Sequence, residues 1–160
     1  MKILIVDDQQ SIRKAMILIL RRLGITDVVQ GEDPYEALTH LKKEKFDLII
    51  SDVHMPSPLP GVPAKSGIEL LKAVKQVPAL EKIPFLIVST DSEMKTVVKA
   101  MQSGVSGYII KPFTEKAVRE KLEMLGFEIK SPEPEDEPPP KPAASSHKIA
   151  TDDDFLKTTF

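Results

Sequence analysis

Three carboxylates in this chain stand where short apolar runs stop. Asp7 and Asp8 follow Ile3-Leu4-Ile5-Val6, and Asp52 follows Leu48-Ile49-Ile50-Ser51. Short apolar, β-branched runs bounded by polar residues are predicted to be buried strands of a parallel sheet. Open α/β sheets carry their chemistry in the crevice beyond the carboxyl ends of the strands. Carboxylates gathered there repel one another, and a cation relieves that repulsion. A hard, oxygen-preferring ion such as Mg2+ suits the donor set.

Such a crevice requires a series of strands and crossovers, and residues 1–130 carry that rhythm. Strands are predicted at Ile3–Val6, Asp27–Gln30, Leu48–Ser51, Phe85–Ser89 and Tyr108–Ile110. Helices are predicted from Ser11 through Leu23, from Pro34 through Leu38 and Leu41, over Gly67–Val77, across Val97, Val98 and Met101, and over Thr114–Leu125. Gly24 suits the left-handed residue that closes the first helix, Pro34 an opening turn, and Thr114 an N-cap. Five βα units in succession predict a parallel sheet covered on both faces by right-handed crossovers.

Two segments interrupt the rhythm. Pro56-Ser57-Pro58-Leu59-Pro60-Gly61-Val62-Pro63 directly follows the third strand, and its prolines predict a stiff, extended loop rather than a helix. In Ser131–Ser146, prolines 132, 134, 138, 139, 140 and 142 alternate with acids, which predicts a semi-rigid disordered spacer. Beyond it, Asp152-Asp153-Asp154 precede Phe155, Leu156 and Phe160. A frayed terminus is the plain reading of this end; a short motif that folds onto a partner groove is the sharper one. The expected division is a folded domain over residues 1–127 and a linker with a tail over 128–160.

Composition narrows the function classes. The 160 residues are 41% apolar and 29% charged, as expected of a soluble globular chain. A net charge of −2 gives no reason to expect nucleic-acid binding. The absence of cysteine excludes disulfides, thiolate metal sites and cysteine nucleophiles. The opening apolar run is too short for a signal peptide or a membrane span, so a cytoplasmic protein is expected. Charge is unevenly spread: residues 131–160 hold seven acids against three lysines, a balance of −4, which leaves +2 on residues 1–130.

Asp7-Asp8, Asp52 with Met55-Pro56, Ser89-Thr90 and Lys111-Pro112-Phe113 each lie at a strand end in this order. On those residues the chain resembles the receiver domain of bacterial two-component response regulators, in particular the single-domain chemotaxis (CheY-like) type, over about residues 1–127. The resemblance implies a flavodoxin-like sheet of order 2-1-3-4-5, an arrangement for which this family is itself a standard example. It implies that Asp52 accepts a phosphoryl group from a histidine kinase or phosphotransfer domain, and that Asp7, Asp8, Asp52 and the backbone carbonyl of His54 hold Mg2+. Lys111 is implied as the cation pairing with the phosphoryl group across a cis Lys-Pro step, Ser89 as the switch hydroxyl, and Tyr108 as the responding aromatic. Output is implied on the face of the fourth helix, fifth strand and fifth helix, toward a target such as the flagellar switch, with a phosphatase as a further partner. Such a protein is a phosphoacceptor that can lose its phosphoryl group to water, not a conventional enzyme.

Plainer roles compete at each position. Asp7 and Asp8 could cap the first helix, Asp52 and Ser89 could end strands, Lys111 could be an exposed lysine, and Tyr108 could be a half-buried core residue. Departures from the common family pattern are His54 and Asp91, which occupy positions that tune dephosphorylation, Thr90 in place of a small residue, and the long proline-rich loop. The terminal acidic-apolar segment is loosely similar to the one by which a chemotaxis phosphatase docks on its receiver. A phosphorelay intermediate or phosphate sink would share these site residues. A Mg2+-dependent phosphohydrolase of the haloacid dehalogenase type also uses a strand-end Asp, but wants a second Asp two residues on, where this chain has His54. A flavodoxin is disfavoured because no Ser/Thr/Gly-rich phosphate loop follows the first strand.

Overall fold

Strand runs that are apolar at every position must be covered on both faces, and that requirement shapes the molecule. The computed structural model describes residues 1–90 and 94–130. Its elements alternate as β1 (Lys2–Val6), α1 (Gln10–Arg22), β2 (Asp27–Gly31), α2 (Pro34–Lys43), β3 (Leu48–Asp52), α3 (Gly67–Gln76), β4 (Phe85–Ser89), α4 (Met94–Gln102), β5 (Gly107–Ile110) and α5 (Glu115–Met124). The five strands form one parallel sheet in the order β2-β1-β3-β4-β5, as expected from the resemblance.

Successive strand residues point to opposite faces, and each face has its own core. Leu4, Val6, Ile49, Phe85 and Ile87 pack with Ala37 and Leu41 of α2, Leu71 and Val74 of α3, and Ala100 of α4. Ile3, Ile5, Leu48, Ile50, Leu86 and Val88 pack with Met16 and Leu20 of α1 and Val118 and Leu122 of α5. The central strands β3 and β4 are buried along their whole length. Register then aligns the strand ends: Val6 pairs with Gly31 and with Ser51, Asp52 with Val88, and Ser89 with Ile110. Asp7, Asp52, Ser89 and Lys111 consequently share one edge of the sheet.

Local signals set the helix ends. Gly24, at φ +83°, closes α1: its N–H donates to Arg21 O at 3.0 Å, and Ile25 N–H donates to Leu20 O at 2.8 Å. This is a Schellman arrangement. Asp33 caps α2 by accepting from Glu36 N, with Pro34 in the first turn. Ser66 and Glu69 cap α3 reciprocally, and Thr114 caps α5 by accepting from Ala117 N at 3.2 Å. The helices expected to end at Leu23, Val77 and Leu125 each stop one residue earlier, where the last carbonyls are taken up by capping bonds.

The proline-rich loop is non-helical as expected, but it does not run straight. Val62 N–H donates to Leu59 O at 3.1 Å, and the Ser57 hydroxyl reaches the carbonyls of Leu59 and Val62. Gly61 makes the turn possible with φ +80°. The loop is moored to α2, since the Tyr35 hydroxyl donates to Pro63 O at 3.0 Å and Lys65 Nζ lies 5.5 Å from the Tyr35 ring centroid. Asp91 and residues 131–160 lie outside the described residues.

After this loop the chain must return tightly to the end of β3. Gly67 N–H donates to Val53 O at 2.8 Å, and a Cβ on Gly67 would come within 2.0 Å of Asp52 O and 2.9 Å of Ser51 Oγ. Backbone cannot yield as a flexible side chain does. Gly67→Ala is expected to cost about 1–3 kcal/mol, the usual range for overpacking, as a lowered midpoint in urea unfolding.

Candidate functional site

The β1–α1 turn presents Asp7 and Asp8, the end of β3 presents Asp52, and the end of β5 presents Lys111. One carboxylate oxygen from each of Asp7, Asp8 and Asp52 lies within 4.8 Å of the others. Asp7 and Asp52 are buried, at 2% and 7% exposure, whereas Asp8 faces solvent. Lys111 Nζ lies 3.2 Å from Asp7 Oδ2 and 3.2 Å from Asp52 Oδ1, bridging the two buried acids. The Lys111–Pro112 peptide is cis, and Lys111 N–H donates to Ser89 O at 2.7 Å.

Each acid has a fixed orientation. Asp7 Oδ1 accepts from Gln9 N at 2.8 Å, and Asp52 Oδ1 accepts from Val53 N at 2.8 Å. Neither Asp7 nor Asp8 caps α1: the cap residue is Gln9, and it makes no side-chain capping bond. The helix-cap alternative for this pair therefore fails, and the Asp7 carboxylate oxygens are taken instead by the Gln9 N–H and by Lys111. The Ser51 hydroxyl donates to Asp52 O at 2.9 Å, which adds to the hold on the strand end.

Burial and the neighbouring Asp7 charge push the Asp52 carboxyl up to about 6, and Lys111 only partly opposes them. For Lys111, burial acts to lower the ammonium pKa, but the two carboxylates outweigh it and the net direction is upward. The lysine stays charged, and a shortage of positive charge persists around the three acids. All three present carboxylate oxygens to a common point, which fits a hard divalent cation. The donor set holds neither nitrogen nor sulfur, so it does not suit a soft metal.

The other expected site residues sit around this centre in different ways. Ser89, 1% exposed, carries a buried hydroxyl oxygen without a hydrogen-bond partner among the described residues. Thr90 and His54 are solvent-facing on the loops after β4 and β3. His54 lines an open depression with Met55, Pro56, Lys65 and Glu69, between the end of β3 and the start of α3. Tyr108 is half-buried against the core, with Lys121 Nζ 5.0 Å from its ring centroid. Val98, Met101 and Ile110 are exposed on α4 and β5 nearby.

Arg13 escaped the sequence reading. Only 4% exposed, it donates to Asp7 O at 2.6 Å, to Gln30 Oε1 at 3.1 Å and to Glu32 Oε1 at 3.2 Å. It thereby ties the Asp7 turn to the end of β2. The available signal was its position: Arg13, Met16 and Leu20 fall on one helical stripe, and a cation on an apolar stripe needs a partner.

Comparison with known proteins agrees with the fold. Residues 3–123 match the response regulator receiver domain family. The chain is 37% identical over 125 residues to the chemotaxis protein CheY of Pseudomonas aeruginosa, covering 78% of this chain and 95% of that protein. It is likewise 37% identical to CheY-3 of Vibrio cholerae, of which it covers 91%. Among solved structures, the V. cholerae chemotaxis protein CheY4 superposes with a TM-score of 0.66 at 32% identity, over 76% of this chain and 95% of that one. A response regulator from Chloroflexus aurantiacus gives 0.67 at 28% identity, over 79% and 98%. No helix among the described residues is long and apolar enough to cross a membrane.

The raised Asp52 carboxyl has a consequence for stability. Its folded value of about 6 lies above the ordinary 3.8, so between the two the folded state binds the extra proton. Stability therefore falls as pH rises through this window, and the penalty is complete above about 6. Without added divalent cation, Asp52→Asn is expected to be more stable than wild type at pH 7.5 by about 1–3 kcal/mol. That advantage should shrink steadily toward pH 4 in urea titrations.

Proposed function

The chain belongs to the response regulator receiver domain family, and from that premise we propose that it is a phosphorylation-controlled switch in which Asp52 accepts a phosphoryl group from a histidine kinase or phosphotransfer domain. The observation carrying this reading is the placement of Lys111 Nζ 3.2 Å from both Asp7 and Asp52, beside a buried Ser89 hydroxyl that has no partner among the described residues. An ordinary strand end or surface lysine has no use for such an arrangement. Family membership also sets aside the phosphohydrolase and flavodoxin alternatives.

Asp7, Asp8, Asp52 and the His54 backbone carbonyl would hold Mg2+, which when bound neutralises charge on the acids and on the transferring phosphoryl oxygens. The Asp52 oxygen attacks phosphorus as the bond to the donor histidine nitrogen breaks, and the electron pair leaves with the imidazole. Lys111 exchanges its carboxylate partner for a phosphoryl oxygen as a compact positive charge. The Ser89 hydroxyl then donates to another phosphoryl oxygen and satisfies its buried atom. This draws Ser89 toward Asp52, and Tyr108 follows into the space vacated. The group adds roughly −1.5 to −2 charges, so only the state with Lys111 and Ser89 engaged accommodates it well.

The readout surface in this reading is the α4–β5–α5 face, where Val98, Met101 and Ile110 are 50%, 60% and 36% exposed. Chemotaxis is the favoured pathway because the 37%-identical relatives carry that name, with the flagellar switch as the kind of target implied. Removal of the group by water, or by a phosphatase, resets the switch. His54 and Thr90 stand on the two loops flanking Asp52, where they govern the approach of water.

Incubation with Mg2+ and acetyl phosphate should add one phosphoryl group to wild type, read by intact-protein mass spectrometry, and none to Asp52→Asn. An unmodified wild type would overturn the assignment. Mg2+ at one hundred times its dissociation constant should stabilise wild type by about 2.7 kcal/mol, with most of this gain lost in Asp8→Asn. His54→Asn should change the lifetime of the phosphorylated form in a stopped-label decay, and equal lifetimes would remove His54 from the mechanism.

A further inference from the structure

At the end of the sheet opposite Asp52, a groove of about 530 Å3 lies between the end of α2 and the α3–β4 connection. Its floor is apolar: Leu41 and Phe46 are buried, and Leu80 and Ile83 are half-buried beneath the opening. Its rim is cationic, with Lys42, Lys43 and Lys45 all exposed. Glu44, the acid on this rim, is already paired with Lys2 at 2.5 Å. A concave apolar floor ringed by lysines that make no ion pair among the described residues suits an acidic peptide with bulky apolar anchors.

The chain carries a segment of that description. Asp152-Asp153-Asp154 run directly into Phe155-Leu156, and residues 131–160 have a balance of −4 against +2 for the remainder. We propose that the segment Asp152–Phe160 docks in this groove, with Phe155 and Leu156 on the Leu41–Phe46–Leu80–Ile83 floor and the three aspartates facing Lys42, Lys43 and Lys45.

The exit of the chain from the folded body favours this occupant. Glu128 and Lys130 line a depression with Met1, Thr26 and Asp27, at the start of β2. Lys2 bridges from there to the groove: it is the register partner of Asp27, its N–H donates to Asp47 Oδ2 at 2.7 Å, and its ammonium holds Glu44 and lies 5.8 Å from the Phe46 ring centroid. Exit and groove thus flank the start of β1. The sixteen residues 131–146 reach up to about 50 Å at polyproline pitch, whereas neighbouring strands are about 4.8 Å apart. A tether of this kind gives an effective concentration in the millimolar range, so a contact with a dissociation constant of about 0.1 mM is largely formed. The docked segment leaves the acid cluster open, and the inference does not depend on the role of Asp52.

The lack of cysteine gives a direct test in the full-length chain. A nitroxide on Thr158→Cys should broaden the amide resonances of residues 41–46 and 79–83 in 15N spectra. Phe155→Ala with Leu156→Ala should abolish that broadening, as should Lys43→Glu with Lys45→Glu, while signals of the sheet stay in place. Broadening centred on Val98, Met101 and Ile110 would overturn the proposal, as would its absence. The same pattern arising when labelled and 15N copies are mixed on separate molecules would replace it with a contact between copies.

Discussion

Repulsion among three carboxylates, with one lysine to moderate it, is the constraint around which this molecule is arranged. Asp7 and Asp52 are buried in spite of their charge, and the approach of Lys111 to both offsets only part of the cost. A fold selected for stability alone would place apolar or neutral groups here. The retained frustration leaves a shortage of positive charge beside the acids, which a hard cation would relieve. Such strain persists only where the surroundings hold the groups in place.

The surroundings do so largely through backbone, with the Arg13 side chain added. Asp52 ends a strand buried along its length, its carbonyl lies under Gly67, and its carboxylate accepts from the following N–H. Asp7 is held at its carboxylate by the Gln9 N–H and at its carbonyl by Arg13. Lys111 sits where β5 stops, its N–H fixed to Ser89 O. Among the described residues, the buried Ser89 hydroxyl at this edge of the sheet has no hydrogen-bond partner.

Much of this was legible in the chain. Apolar runs of strand length, four of the five ending at a candidate site residue, announced a parallel α/β sheet and its chemical edge, and the signals at Gly24, Pro34 and Thr114 agree with the helices formed. The proline-rich loop was read correctly as non-helical and wrongly as extended. Its composition speaks for local stiffness, whereas its course depends on Gly61, on the Ser57 hydroxyl and on mooring to Tyr35 across 28 residues. Arg13 was missed because its side-chain partners, Gln30 and Glu32, lie 17 and 19 positions away at the end of β2 and in the turn after it.

The sequence by itself determined which elements form and which residue types stand at their ends, since periodicity and capping act over a few neighbouring positions. It also carried the motif order from which the family and the expected division of labour followed. Only the tertiary structure decided the distances on which the chemistry turns. Lys111 reaches Asp7 across 104 positions of chain, and Gly67 must lack a side chain because the end of β3 passes beneath it. Those relations arise from strand register and from packing on two faces of one sheet. They are properties of the closed fold, not of any local stretch of chain.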